Sequence, residues 1–538
     1  MRFDKRFCAR TAVAAGLVAG SVSVFGVAPV YAQTTPAMPA ATQQGTVRRM
    51  SIDDAVATAL EQNLDLQVDR INPQLQELTI GQFKAAYTPN FISNLSTSDA
   101  TQPATSFLDT GGGTATGITS GNSVFNFGVQ SLTNWLGASY DVRFNNFRST
   151  TTNLLQSFNP QINTSLSATY IQPLLRNFKI DGARQQLIVS QKNKQISDVQ
   201  LKQSITLTTR AVRNAYYDLI YAIGNLAVQR QSLQLSQQSL RDNRARVEIG
   251  TMAPLDIVQA EADVASREEA VILAEAAIER QQDTLRALVY NPSSPDFWTA
   301  RIEPTDTMTF VPTTVDTDAA VKTALQERTD LVNARKNLEI NDVNIRYFRN
   351  QSLPDVTASV NYNTRAICGT QVLRGRDPIT GLPTGDIIRS ESVGYFSALG
   401  TAFSGDFPGW NVQLQMSYPI GGSAQEAQLA RARLAQTQAE RQISSLELAV
   451  TTQVREAARN VQTNAKRVEA TRSARVFAER RLEAEEKRYQ AGLTQNFFVL
   501  QAQRDLSVAR NGELLALVDY AKSVVNYSAV QQSPLFGQ

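Results

Sequence analysis

Histidine is missing from the chain altogether, and cysteine occurs twice, at Cys8 and Cys368. The usual general base and the commonest zinc ligand are therefore absent, and there is neither a disulfide framework nor a Cys-rich metal site. No spacing of acids or nucleophiles points to the remaining options, a carboxylate-only or Ser-Lys enzyme, so the sequence reads as a non-enzyme without cofactor or metal. Excess charge is lacking too. The net charge of +3 comes from the first residues, where Arg2, Lys5, Arg6 and Arg10 precede an Ala/Val/Gly-rich stretch from Thr11 to Val27 and a small-residue cleavage site at Val30-Tyr31-Ala32. This is the pattern of a secretory signal peptide over 1–32, with maturation at Gln33; an uncleaved anchor is the alternative. Removing it takes away four basic residues and one acid and leaves 48 of each sign. A neutral mature chain gives no ground for nucleic-acid binding. Cys8 lies ahead of the leader's apolar core, so it is not the acylated first residue of a lipoprotein, and Cys368 is then alone.

What is present is repetition. Ser51 to Leu60 opens a helix, with Ser51 as its cap and acids in the first turn, and Asp316 to Leu325 restates it as Ala-Val-x-Thr-Ala-Leu at an offset of 265. Pro89 and Pro354 keep the same offset. Beyond them the period falls to two: Leu136, Ala138, Tyr140, Val142 and Phe144 alternate with polar residues, as do Val356 to Tyr362 and Trp410 to Tyr418. Such strands, with Asn, Gln, Ser and Thr on one face and aromatics near their ends, fit a half-solvated sheet or a membrane barrel. The Gly/Ser/Thr/Asn-rich stretches Asp99–Asn122 and Thr364–Gly409 read as loops.

Long helices follow. Apolar residues fall at every seventh position from Ile205 through Val212 and Leu219 to Val247, again from Ile257 to Leu285, and less regularly from Val454 to Tyr489, where Arg475 must snorkel or meet an acid. A helix from about Leu174 to Val247 would extend about 110 Å. This half also repeats, at an offset of 242, so 23 extra residues lie between Pro89 and Val212 as strand or loop. At the far end of each seam sits a tip: Arg246-Val-Glu-Ile-Gly250 to Asp256, and Arg488-Tyr489-Gln-Ala-Gly492 to Phe498. Gly250 and Gly492 fit the left-handed helix stop, Pro254 and Asn496 the next start. The division is 33–50 flexible N-terminus, 51–290 repeat 1 (strands about 88–172, tip 246–256), 291–315 irregular connector, 316–530 repeat 2 (strands about 354–419, tip 488–498) and 531–538 tail.

Helix, strands, long helix, Gly-containing tip and return helix, twice over, with Ala-Val-x-Thr-Ala-Leu, Gln172-Pro-Leu-Leu175 and Tyr418-Pro-Ile420, resemble the TolC-like outer-membrane efflux proteins. The resemblance implies a membrane β-barrel joined to a long coiled-coil α-helical barrel, two tandem repeats per chain, and a homotrimer forming a single duct with four strands per chain in the outer-membrane lipid. It further implies a passive exit duct of a tripartite efflux or type I secretion system, with a periplasmic adaptor docking at the tips and an inner-membrane transporter driving export. By this resemblance the gating and docking residues are Arg246, Gly250, Leu255, Asp256, Arg488, Tyr489, Gly492, Thr494, Phe497, Phe498 and Gln501. Thr494 stands where relatives carry Arg, and Phe498 and Gln501 stand where they place an acidic ring, so the relatives' cation binding does not carry over, and the sequence leaves open whether the tip constriction is hydrophobic, at Phe497 or Phe498, or polar. The rival reading is a periplasmic coiled-coil scaffold without a pore.

Overall fold

Ser51 accepts a hydrogen bond from the Asp54 amide at 3.2 Å while the Asp54 carboxylate accepts from the Ser51 amide, a reciprocal cap that starts the first helix. The computed structural model describes residues 47–105, 117–250, 253–293, 297–379, 381 and 383–534. The chain runs β1 (Val47–Met50), α1 (Ile52–Gln62), α2 (Leu64–Ala85), then four strands, β2 (Asn90–Pro103), β3 (Gly117–Leu132), β4 (Ser139–Thr151) and β5 (Phe158–Pro173). Two long helices follow, α3 (Gly182–Glu248) and α4 (Pro254–Val289), and a short strand β6 (Arg301–Pro304). The second half runs α5 (Thr317–Glu327), α6 (Thr329–Gln351), β7 (Asp355–Arg376), β8 (Pro383–Val393), α7 (Tyr395–Ser404), β9 (Pro408–Ser417), α8 (Ala424–Gln490) and α9 (Asn496–Val530).

The long helices α3 and α8 are each 67 residues, about 100 Å at ~1.5 Å per residue. Each packs along its return helix, α3 on α4 and α8 on α9, and α3 also meets α9, which joins the two hairpins side by side. The remaining length of α3 is covered by α2 and that of α8 by α6. Heptad residues Val212, Leu219, Leu285, Val454, Val461, Val468 and Leu482 are buried, whereas the seam leucines of α3 nearer its tip are half-buried. Arg475 meets acids, as its place in an apolar seam requires: Glu479 on its own helix at 2.9 Å and Glu513 on α9.

Strands β2 to β5 and β7 to β9 form one sheet in the order β2-β3-β4-β5-β7-β8, every neighbouring pair antiparallel, with β9 pairing the lower part of β7 and β8 its upper part. The first β region alone holds four of these strands, a number the sequence leaves open for residues 89–172, and this is where the 23 extra residues go. The loop assignments are corrected. β2 and β3 run into both ends of Asp99–Asn122, where the paired hydroxyls of Thr101 and Thr119 (2.9 Å), like those of Thr97 and Ser123 (3.1 Å) just outside it, sustain the pairing without apolar alternation. Thr364–Gly409 holds the upper part of β7, β8 and α7; there α7 covers Ala366 and Cys368 with Ala398 and Ala402, so that face is not open to solvent and the two-residue period fades.

Three further expectations change. Helix α3 begins at Gly182, not near Leu174, because Asn177 takes a left-handed turn (φ 65°) and Asp181 then caps the helix through the Arg184 amide at 2.8 Å. The connector 291–315 is not wholly irregular, since β6 pairs in parallel with β1, residues that had been placed in the flexible N-terminus. Asp306 pins this junction by accepting from the Ile52 amide and the buried Tyr216 hydroxyl, both at 2.7 Å, beside a core of Met50, Ala55, Ala59, Leu219, Val289 and Ile302. The signal peptide, residues 33–46 of the N-terminus and residues 535–538 of the tail lie outside the described residues.

Candidate functional site

The two helical turns at the far ends of the hairpins are set by backbone. Gly250 and Gly492 take φ of 77° and 73°, and the amides of Gly492 and Leu493 return to the carbonyls of Tyr489 (3.0 Å) and Arg488 (2.9 Å), which ends α8 in a two-bond stop. Pro254 then begins α4, its missing N–H costing nothing at the first helical position. At the other tip Asn496 begins α9.

Just behind these turns the two hairpins are tied together. The Tyr489 hydroxyl of α8 donates to Oδ1 of Asn243 on α3 at 3.2 Å, and the Arg246 guanidinium lies over the Tyr489 ring, 4.3 Å from its centroid. Burial pushes the Tyr489 hydroxyl above its ordinary pKa; Arg246 opposes the shift and the charge of Asp256 adds to it. On its inner side Tyr489 packs on Leu482, Val499, Ala502 and Leu506.

Further up the hairpins is a buried carboxylate. Asp263 on α4 accepts from Ser236 Oγ on α3 at 2.6 Å and from Arg504 Nε and Nη2 on α9 at 3.1 and 2.9 Å, with Arg267 at 3.7 Å. Burial pushes its pKa up, but the hydrogen bonds from Ser236 and Arg504 and the two guanidinium charges outweigh that and hold it below the ordinary aspartate value. One side chain thus joins three helices and both hairpins. Beyond it Arg510 of α9 reaches Gln231 of α3 at 2.6 Å and Glu479 of α8 at 3.1 Å, and Lys522 of α9 reaches Asp218 of α3 at 2.6 Å.

Of the residues singled out from sequence, Arg246 and Tyr489 come together, with Asp256 half-buried near them. Arg488 turns to Glu485 of its own helix at 2.9 Å, and Gln501 donates to Asp505 one turn on, also at 2.9 Å. Leu255, Phe497 and Phe498 are exposed, the two rings meeting edge-on at 5.6 Å; Thr494 is half-buried. Asn243, Asp263 and Arg504 were missed. Their signal was faint: Ser236 and Asn243 are polar residues seven apart, and Asp263 precedes the seam residue Val264. Among the described residues there is no cluster of three or more potential metal ligands of the His, Cys, Asp or Glu type.

A sequence model of the outer membrane efflux protein family matches residues 148–289 and 320–529. The chain belongs to the outer membrane efflux protein family. No curated protein sequence matches it. Among solved structures it is similar to the Campylobacter jejuni CmeC outer membrane channel, at 16% identity and a TM-score of 0.61, with 89% of this chain and 85% of that one covered. The Vibrio cholerae outer membrane protein VceC matches at 15% identity and a TM-score of 0.60 over 90% and 97% of the two chains. The open state of the Neisseria gonorrhoeae MtrE outer membrane channel matches at 16% and 0.60 over 94% and 98%. This outer membrane efflux protein thus resides in the outer membrane and extends its helices into the periplasm. Its family is one of channel proteins.

Proposed function

We propose that three copies of this outer membrane efflux protein form one passive exit duct of a tripartite efflux or type I secretion system, gated at the tips. The observation that carries the gate is the tie between hairpins by Tyr489, Asn243 and Arg246, next to the turns and backed by Asp263 and Arg504. Opening a helical tunnel at that end requires one hairpin to move against the other, and these polar contacts, unlike continuous apolar packing, can be broken and remade at modest cost. The exposed tip residues Ile249, Leu255, Leu493 and Phe497 suit docking of a periplasmic adaptor, with an inner-membrane transporter supplying the drive. In this reading residues 1–32 direct export, 51–290 and 316–530 act as paired repeats, and the apolar face of the sheet meets lipid. A scaffold without a pore has no use for that face, on which Phe91, Leu95, Trp410 and Leu414 are all exposed. Cross-linking purified protein in detergent tests the assembly: a ladder ending at three chains supports it, and a protein that stays monomeric at every concentration contradicts it.

A further inference from the structure

The register of the sheet keeps its two faces in phase from one edge to the other. A row across the strands reads Phe91, Val129, Val142, Ala168, Tyr362 and Trp410; the adjacent row, on the opposite face, reads Asn90, Gln130, Asp141, Thr169, Asn361 and Asn411. Every member of the first is apolar or amphipathic and every member of the second is polar. Strands projecting beyond a membrane wall as a hydrated hairpin would have no reason to continue both rows, so β2 and β3 lie in the same wall as β4, β5, β7 and β9.

Both outer edges of this six-strand wall are unpaired within the chain: among the described residues β2 bonds only to β3, and β9 only to β7. Backbone edges left open in lipid are untenable, because no water is there to satisfy them. Since successive strands are antiparallel, the first and sixth also run in opposite directions, so β9 of one chain can accept β2 of another in the same antiparallel manner as every other pair.

The stagger supports the same closure. Asn90 is the first residue of β2, but the row through it crosses β9 at Asn411, six residues before the last residue, Ser417. A slip of six residues at ~3.3 Å each over the five strand spacings of ~4.8 Å from β2 to β9 corresponds to a tilt of about 40°. Outer-membrane barrels tilt their strands by about 35–45°. The floor of β9 in one chain therefore meets the floor of β2 in the next.

We infer that each chain contributes six strands to the barrel wall, and that both free edges are occupied by a second copy of this chain, β9 against the next copy's β2. This rests on the trimeric duct reading. With three copies, eighteen strands close the barrel. Because diameter grows roughly linearly with strand number, its lumen is about 1.5 times as wide as four strands per chain would give.

Floor-to-floor pairing puts Asn94 opposite Gln413 of the neighbour, both on the polar face. In full-length protein carrying Cys368→Ala, Asn94→Cys is combined in turn with Asn411→Cys, Gln413→Cys and Gln415→Cys; a parallel set uses Asn145→Cys on β4 in place of Asn94→Cys. After mild oxidation in native outer membranes, the Asn94 set should give covalent dimers and trimers at least 10-fold above the Asn145 set. Cross-links from Asn145 instead, a disulfide closed within one chain, or no cross-link in either set would each overturn the inference. The native mass of the same samples separates the two claims: a trimer without β2–β9 cross-links refutes only the strand count, whereas a monomer refutes the duct reading as well.

Discussion

The Tyr489 hydroxyl donates to Asn243 Oδ1 at 3.2 Å across 246 residues of chain, linking the last turns of two helices that each run 67 residues from the sheet. A neutral hydrogen bond of this kind contributes about 1 kcal/mol, about a 5-fold change in an equilibrium. Tyr489→Phe should therefore raise proteolytic nicking at the tips about 5-fold, while nicking near the sheet stays unchanged. Equal nicking of both proteins at the tips would remove this bond from the closed state.

Asp263 is the strongest candidate for a load shared by both hairpins. Asp263→Ala removes the acceptor for Ser236 and Arg504 at once, whereas Arg504→Ala leaves a buried carboxylate that still holds Ser236 and Arg267. Breaking a buried pair by deleting one partner costs on the order of 3–5 kcal/mol at full burial, and less here because Arg504 is half exposed. A double-mutant cycle on thermal unfolding should show coupling between the two sites, the double variant losing less than the sum of the single ones. Strict additivity would contradict a direct interaction.

The same carboxylate fixes a pH dependence. Its pKa in the folded chain is lowered from the ordinary 3.8, so its contribution is fully present above that value and is lost as pH falls through the lowered one. The difference in melting temperature between the natural chain and Asp263→Asn should hold steady from pH 7 to 5 and shrink at more acidic pH. A difference that grows on acidification would reverse the sign and refute the assignment.

Gly250→Ala and Gly492→Ala test the turns without a packing change, because a Cβ at either position meets nothing within 4 Å. The cost is the left-handed backbone alone, about 1 kcal/mol each, and similar at the two tips. Differential scanning calorimetry should show two small and nearly equal shifts; a large shift at one tip would mean that its glycine is packed against something else.

The helices were legible in the sequence because a seven-residue repeat demands a neighbour along its whole length, and Val454, Val461 and Val468 are buried accordingly. The strand count was not. Thr97 pairs with Ser123 and Thr101 with Thr119 through their hydroxyls, and a strand built that way has the composition of a loop. At the tips, Tyr489 and Arg246 were named through the resemblance to the TolC-like proteins. Asn243 and Asp263 were not, since the seven-residue spacing of Ser236 and Asn243 names no partner and Asp263 lies beside the seam rather than on it; only the arrangement of α3, α4, α8 and α9 in space gives them partners.

Single-channel recording in a planar bilayer tests the central claim, a duct closed at its helical tips, most directly. The natural protein should give small, discrete current steps, and a chain carrying both Arg246→Ala and Tyr489→Phe should give steps several-fold larger from the same trimer. A protein that leaves the bilayer intact in both forms, or equal steps from both, would contradict it.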